Sequence, residues 1–298
     1  MVTEHLKITT LEEVSSILGI STKTLVALAG SMNDQVKVEN KPKSHGEGYR
    51  EICKPSWLLK RTLNSINRKI LQTIPLPENL QGGVPHKSTK LNAQHHTGKP
   101  TLLTLDIKNF YPGIHYTRVY DLFIKHGYSP DVANWFTRVT TYNNHLAQGF
   151  PTSSTIANLI LSEITPRINN LCKRHQITFT TFQDNLYFSG SSTVPKFANL
   201  ISRILRQEGF ATHGKKVMLR NKRQVVSGWV VNKKVNVSDK EYRTLRTTIH
   251  RCKVLGLNAV ADRSLESYKL HLLGRIQRVI EVNPAKGEKL LNDFNGLE

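Results

Sequence analysis

The chain has 298 residues, enough to bury a substantial core in one or two compact units. Lys and Arg number 42 against 22 Asp and Glu, a net charge of +20, and a self-repelling excess of that size points to a polyanionic partner. Cys53, Cys172 and Cys252 are few, odd in number and far apart, which argues against a disulfide framework or zinc knuckle and suits thiols in a reducing cytosol. No apolar run approaches the ~18 residues of a membrane span, and the N-terminus MVTEHLKITTLEEVSSILGI lacks a signal-peptide core, so a cytoplasmic protein with no membrane partner is expected. The positive charge is spread along the chain, as an extended nucleic-acid track requires; a ribosome-like or merely soluble basic protein is the bland alternative.

In chain order, residues 10–30 predict two short helices, one with Leu11, Val14, Ile17 and Leu18 on a face and one opening at Ser21. Residues 38–48 are polar with Pro and Gly and predict a flexible hairpin loop; YREICKP then reads as a strand. Residues 56–72 predict an amphipathic helix with Trp57, Leu59, Leu63, Ile66 and Ile70 inward. Residues 74–100 are rich in turn formers, and a strand, TLLTLDI, follows. Helices are expected over His115–His126, Ser129–Val139 and Ser154–Arg174. ITFTTF and LYFSG alternate around Gln183-Asp184 and predict a β-hairpin with a tight tip. The helix VPKFANLISRILRQEGF precedes strands MLRNKRQVVSGWVV and KVNV, and from Ser238, which opens a capping box with Glu241, the chain is mostly helical.

Three segments carry chemistry: LTLDIKNFYPGI around Asp106, QGFPTSSTIANL from Gln148, and TFTTFQDNLYFSG around Asp184. Asp106 follows an apolar strand and Asp184 sits on a hairpin tip, so the two carboxylates could converge on two magnesium ions, with the carbonyl of Ile107 as a further oxygen ligand. Any one Asp at a turn is more often an Asx-type cap, and only the ordered company of the other segments outweighs that reading. Tyr111 could lie flat under a sugar and exclude a 2′-hydroxyl, or be a plain core aromatic. Gln148-Gly149 forms a turn whose backbone can approach a nucleotide closely, and Thr152, Ser153 and Ser154 supply helix-capping hydroxyls. Arg50 and Lys60 could reach a triphosphate, with a solvated cation the favoured reading of Lys60. Lys215 and Lys216 follow a Gly-containing break, and Lys216 is the better candidate to protonate or neutralise a pyrophosphate leaving group. Arg243, Arg246, His250 and Arg251 share one broad helical face suited to the phosphates of an A-form duplex, or form a solvated charged helix.

With these motifs the chain resembles the retron reverse transcriptases, within the bacterial reverse transcriptases, from YREICKP to NPAKGEKLL. Asn92-Ala93-Gln94-His95-His96 looks like that family's Asn-Ala-x-x-His motif, and Val226-Ser227-Gly228 like its Val-Thr-Gly motif with Ser for Thr. The resemblance implies that Asn92, Ala93, His96, Val226, Ser227 and Gly228 hold a structured noncoding RNA. It also implies DNA synthesis from dNTPs, starting at a guanosine 2′-hydroxyl of that RNA. The product would be a branched RNA–DNA hybrid, multicopy single-stranded DNA, commonly serving antiphage defence with a separate effector protein. The implied fold is an α+β right hand: fingers over 1–100, palm over 101–235, a short helical thumb over 236–298. One departure stands out. The family usually reads Tyr-Ala-Asp-Asp where this chain has Phe182-Gln183-Asp184-Asn185, so an amide replaces the second carboxylate. The expected enzyme then relies on Asp106 and Asp184. A catalytically silent RNA-binding scaffold that restrains an effector is the alternative, and a group II intron-type enzyme is less favoured.

Overall fold

The computed structural model describes residues 7–42 and 48–297. In chain order the elements are α1 (Leu11–Leu18), α2 (Thr22–Gly30), α3 (Met32–Gln35), β1 (Val36–Pro42), β2 (Tyr49–Pro55), α4 (Trp57–Lys69), α5 (Thr89–Gln94) and β3 (Thr101–Ile107). Next come α6 (Tyr116–Lys125), α7 (Pro130–Thr140), β4 (Thr141–Tyr142), β5 (His145–Leu146), α8 (Ser153–Arg174), β6 (Thr178–Phe182), β7 (Asn185–Gly190), α9 (Ala198–Gln207) and β8 (Thr212–Leu219). The chain closes with β9 (Val225–Val226), β10 (Trp229–Val230), α10 (Asp239–Leu255), α11 (Leu257–Val260), α12 (Leu265–Ile280) and α13 (Pro284–Asn295). They fall into two compact units, one holding Leu103–Val217 and the described residues up to Ser88, the other Thr89–Leu102 and the chain from Met218 onward.

The first unit is built on a four-stranded sheet in the order β6-β7-β3-β8. Burial runs almost unbroken through β7, and through β3 except at Thr104 and Asp106. On the paired strands β6 and β7, Phe179 opposes Phe188, and their rings stack with centroids 4.7 Å apart. Helix α8 buries Ile156, Leu159, Ile160 and Ile164, and an aromatic knot of Phe123, Tyr128, Trp135 and Phe136 joins α6 to α7. The Trp135 indole donates to the Leu25 carbonyl at 2.8 Å, tying α2 to this knot. Thr10 caps α1 in a full capping box with Glu13.

The second unit packs α10, α12 and α13 through Leu245, Ile249, Leu272, Ile276, Leu290 and Phe294. Ser238 caps α10 by accepting from the Glu241 amide. In the same unit α5 lies on the β9–β10 hairpin. That hairpin turns through Ser227 and Gly228, both with positive φ (47° and 83°), the pattern of a type I′ turn matched to the twist of paired strands.

Several local expectations change. The expected loop over 38–48 is a strand as far as Pro42, paired with β2 from Val36↔Pro55 to Pro42↔Tyr49; its remainder, 43–47, lies outside the described residues. The pairing with β2 outweighs the polar composition. Trp57 is exposed at 73%, not inward. It lies two residues, about 200° around a helix, from Leu59, and its ring instead meets the Arg61 guanidinium at 5.5 Å. The turn-rich stretch 74–100 contains the short helix α5, and β8 begins at Thr212, so Lys215 and Lys216 lie inside a strand rather than after a break. KVNV contributes only an isolated bridge, Val230↔Asn236.

Phe188→Ala removes a fully buried ring from the centre of the sheet and is expected to cost ~3–5 kcal/mol. Trp57→Ala at the exposed helix start should stay within about 0.5 kcal/mol of the parent. Denaturant unfolding of both variants checks the contrast.

Candidate active site

In β3, Thr104 and Asp106 alternate with the buried Leu103, Leu105 and Ile107, so pleating turns the Asp106 side chain to the partly open face. Asp184 occupies the tip between Phe182 and Asn185, which pair across the hairpin. The Ile107 amide donates to the Asp184 carbonyl at 2.8 Å. This bond, with the pairing of β7 to β3, sets the hairpin tip beside the end of β3 and brings Asp106 and Asp184 together.

Their electrostatics reflect that proximity. Burial raises the Asp106 carboxyl above the usual aspartate range, the charge of Asp184 raises it further, and His213 and Arg50 pull it back. His213 was not singled out above. Its Nδ1 lies 3.9 Å from Asp106 Oδ1, because β8 starts earlier than the composition suggested. Asn185 Nδ2 donates to Asp184 Oδ1 at 2.9 Å, so the amide occupies one carboxylate oxygen. Two adjacent, acceptor-only carboxylates whose charges oppose each other fit a divalent cation. Among the described residues there is no cluster of three or more His, Cys, Asp or Glu for a metal, in keeping with Asn at position 185.

The tip is braced from behind. Residues 79–82 run along β6, with Gln81 N–H donating to the Thr181 carbonyl at 2.9 Å and Thr181 N–H to the Asn79 carbonyl at 2.8 Å. A Cβ on Gly82 would fall 2.4 Å from the Gln183 nitrogen, so only glycine fits against the tip. The Gly82 carbonyl accepts from Asn158 Nδ2 on α8 at 2.7 Å, and Gln183 holds φ +55°, an uncommon value for a side-chain-bearing residue. Nothing local in the turn-rich stretch 74–100 marks Gly82, because its partner Gln183 lies far along the chain.

Tyr111 is half-buried, and its hydroxyl meets Ser154 Oγ at 3.1 Å. Burial raises its pKa, the Ser154 hydrogen bond lowers it in part, and the Asp184 charge adds a smaller rise. The Gln148 carbonyl accepts from Cys53 N–H at 2.8 Å, and Gly149, at φ +117°, would put a Cβ 2.5 Å from the Cys53 carbonyl. That turn is thus seated on β2, the strand that carries Arg50. The expected helix capping by hydroxyls is absent. Thr152 makes no side-chain cap bond, Ser153 Oγ turns back to the Ala147 carbonyl, and Ser154 serves Tyr111. Arg50, Lys60 and Lys216 are exposed, and Lys216 forms no ion pair with a described acidic residue.

In the second unit the two short motifs make one device. Asn92 Nδ2 donates to Ser227 Oγ at 2.9 Å, across 135 positions of chain. Asn92, Ala93, His96 and Val226 are fully buried, while Ser227 is partly and Gly228 freely exposed. Burial holds the His96 imidazole neutral, its pKa pushed down to about 3. Arg278 on α12 donates to the Gly228 carbonyl at 2.6 Å and stacks over Trp229 at 4.0 Å. On α10, Arg243, Arg246, His250 and Arg251 are exposed, and Arg246 and His250 line a cleft of about 410 Å³ with Lys253 and Asp293.

The family described as reverse transcriptase (RNA-dependent DNA polymerase) matches residues 40–259. The chain belongs to this family. It is similar to the retron Mx65 reverse transcriptase of Myxococcus xanthus, 29% identical over 84% of this chain and 62% of that protein. It is likewise 28% identical to the retron Ec86 reverse transcriptase of Escherichia coli, over 97% of this chain and 89% of that protein. The chain thus spans under two thirds of the Myxococcus relative's length. Among solved structures, a telomerase from Candida albicans matches 88% of this chain and 63% of its own at TM-score 0.50 and 10% identity. The α+β right-hand polymerase fold is the fold of this chain. No helix among the described residues is long and apolar enough to cross a membrane.

A carboxyl raised on folding stabilises the protein fully only below its unfolded pKa, and that contribution is lost as pH rises through the folded value. Asp106→Asn, which fixes the uncharged form, is therefore expected to raise the melting temperature at neutral pH. The gain should vanish below about pH 4, where aspartates are protonated in any case. Melting curves across pH check it; equal melting temperatures at pH 7 would mean that folding does not penalise the charged form of Asp106, by burial or by Asp184.

Proposed function

We propose that this protein is an RNA-directed DNA polymerase of the retron kind. It reverse-transcribes part of its own structured noncoding RNA from a guanosine 2′-hydroxyl, leaving the branched RNA–DNA hybrid called multicopy single-stranded DNA, in antiphage defence beside a separate effector. The observation that carries this reading is the Ile107–Asp184 main-chain bond, which aligns two carboxylates at the end of the sheet.

Asp106 and Asp184, with the Ile107 backbone, would hold two Mg²⁺ ions. When bound, these neutralise the triphosphate and lower the pKa of the priming hydroxyl. The remaining roles belong to the chain. Tyr111, steadied by Ser154, offers a flat ring beneath the sugar and selects deoxynucleotides. The Gln148-Gly149 turn supports the incoming dNTP, and Arg50 reaches its phosphates. Lys216 neutralises or protonates the departing pyrophosphate. In the second unit Ser227 and Gly228 present the surface that meets RNA. Asn92, Ala93, His96 and Val226 set the shape of that turn from inside, and Arg243, Arg246 and His250 meet duplex phosphates.

Asn185 favours a second reading. Its amide takes one oxygen of Asp184, and a protein with a weakened cation site could serve as an RNA-binding scaffold. Two measurements separate the readings. Nucleic acid copurified with the protein is digested with RNase and DNase separately, and primer extension is run for the parent, Asn185→Asp and Asp184→Ala. DNA covalently joined to RNA is expected, with Asp184→Ala lowering extension at least about a hundredfold. RNA without DNA, and no extension by either form of position 185 at any magnesium concentration, would leave the scaffold.

A further inference from the structure

Between Gly209 and Ser238 the chain has no acidic residue. Within that stretch two loops of the second unit carry five exposed cations: Arg220, Lys222 and Arg223 in the loop after β8, and Lys233 and Lys234 in the loop after β10. None of the five forms an ion pair with a described acidic residue. Like charges in neighbouring loops repel, and free loops would splay apart. Here they are stitched together. Asn232 Nδ2 donates to the carbonyls of Arg220 (3.1 Å) and Lys222 (2.8 Å), while its Oδ1 accepts from the Gln224 amide (2.9 Å). Val231 N–H donates to the Gln224 carbonyl at 3.0 Å, and the Val230–Asn236 pair closes the second loop. Beneath them the fully buried Gln224 side chain donates to the Met218 carbonyl at 3.1 Å.

We propose that these paired loops form a phosphate-binding knuckle that grips the sugar–phosphate backbone of a folded RNA without reading its sequence. A side-chain clamp that holds unpaired cations together is stabilised when a polyanion supplies the missing counter-charge. The knuckle deepens the reading of an RNA partner and rests on it. It is a separate surface from the Ser227-Gly228 turn and the α10 face, and its contribution is affinity and salt dependence rather than specificity.

The test uses the full chain and a folded RNA hairpin transcript, with Kd measured from 50 to 300 mM salt. One variant changes Arg220, Lys222, Arg223, Lys233 and Lys234 to Gln. A charge-matched control changes Lys173, Arg174, Lys196, Arg203 and Arg206, all exposed in the first unit, to Gln. Each lost phosphate contact lowers the slope of log K against log salt by about 0.7–0.9, so the knuckle variant should lose about 2–4 from that slope and bind at least about tenfold more weakly at 150 mM salt. The control should keep most of the parental slope. Asn232→Ala, which keeps all five charges but frees the loops, should weaken binding several-fold, and melting curves confirm that each variant is folded. An unchanged slope in the knuckle variant, an equal fall in the control, or unchanged affinity in Asn232→Ala overturns the proposal. A parent protein that does not bind the hairpin overturns the RNA-partner reading and the knuckle with it.

Discussion

In the first unit the pairing of β7 with β3 ends in a main-chain hydrogen bond that has an electrostatic consequence. When Ile107 N–H bonds to the Asp184 carbonyl, two carboxylates that would separate in water are held side by side. The sheet bears that opposition because β3 and β7 are buried and their neighbours are packed, so the strands cannot shift to relieve it. Burial is the larger cause of the raised Asp106 carboxyl and the Asp184 charge the smaller, so the site combines partial desolvation with a neighbouring negative charge. The surrounding groups hold the geometry. Gly82 fits against the tip where any side chain would collide, and Gly149 seats the Gln148 turn on the Cys53 carbonyl.

The second unit solves a different problem in the same way. A two-residue turn has little to hold its shape, and Ser227 must adopt a positive φ that serine disfavours. Asn92 anchors its hydroxyl from α5, and Arg278 anchors the next carbonyl from α12 while covering Trp229. The buried residues of the two motifs therefore act on the exposed ones. Serine retains the hydroxyl that Asn92 needs, which accounts physically for its standing in place of threonine.

The helices and the β6–β7 hairpin were legible in the sequence because their signals are local. Alternation across ITFTTF and LYFSG fixed the tip at Gln183-Asp184, and Ser21, Ser129 and Ser238 marked helix starts by capping. What escaped depended on partners far along the chain. The strand at Val36–Pro42 exists through its pairing with β2, and the orientation of Trp57 follows from which face of α4 the core takes. The place of His213 beside Asp106, the fit of Gly82 behind the tip and the burial of Asn92 all arise from tertiary neighbours. Thr152, Ser153 and Ser154 resembled caps, yet two of the three hydroxyls bond elsewhere, Ser153 to the Ala147 carbonyl and Ser154 to the Tyr111 hydroxyl.

Asn185 draws these strands of argument together. Were position 185 a carboxylate, three negative charges would meet at the end of one sheet, and the opposition already visible between Asp106 and Asp184 would grow. An amide removes that charge and substitutes a donor, which Asp184 accepts at 2.9 Å. The tip is thereby steadied without a cation, at the expense of attraction for one. The bond uses only Oδ1 of Asp184 and leaves Oδ2 open, so the amide lowers the negative charge at the tip without closing the carboxylate. The same substitution leaves the main-chain bond from Ile107, the Gly82 contact and the Tyr111–Ser154 pair in place, since none involves the side chain at 185. The change therefore acts on the charge at the tip rather than on its architecture.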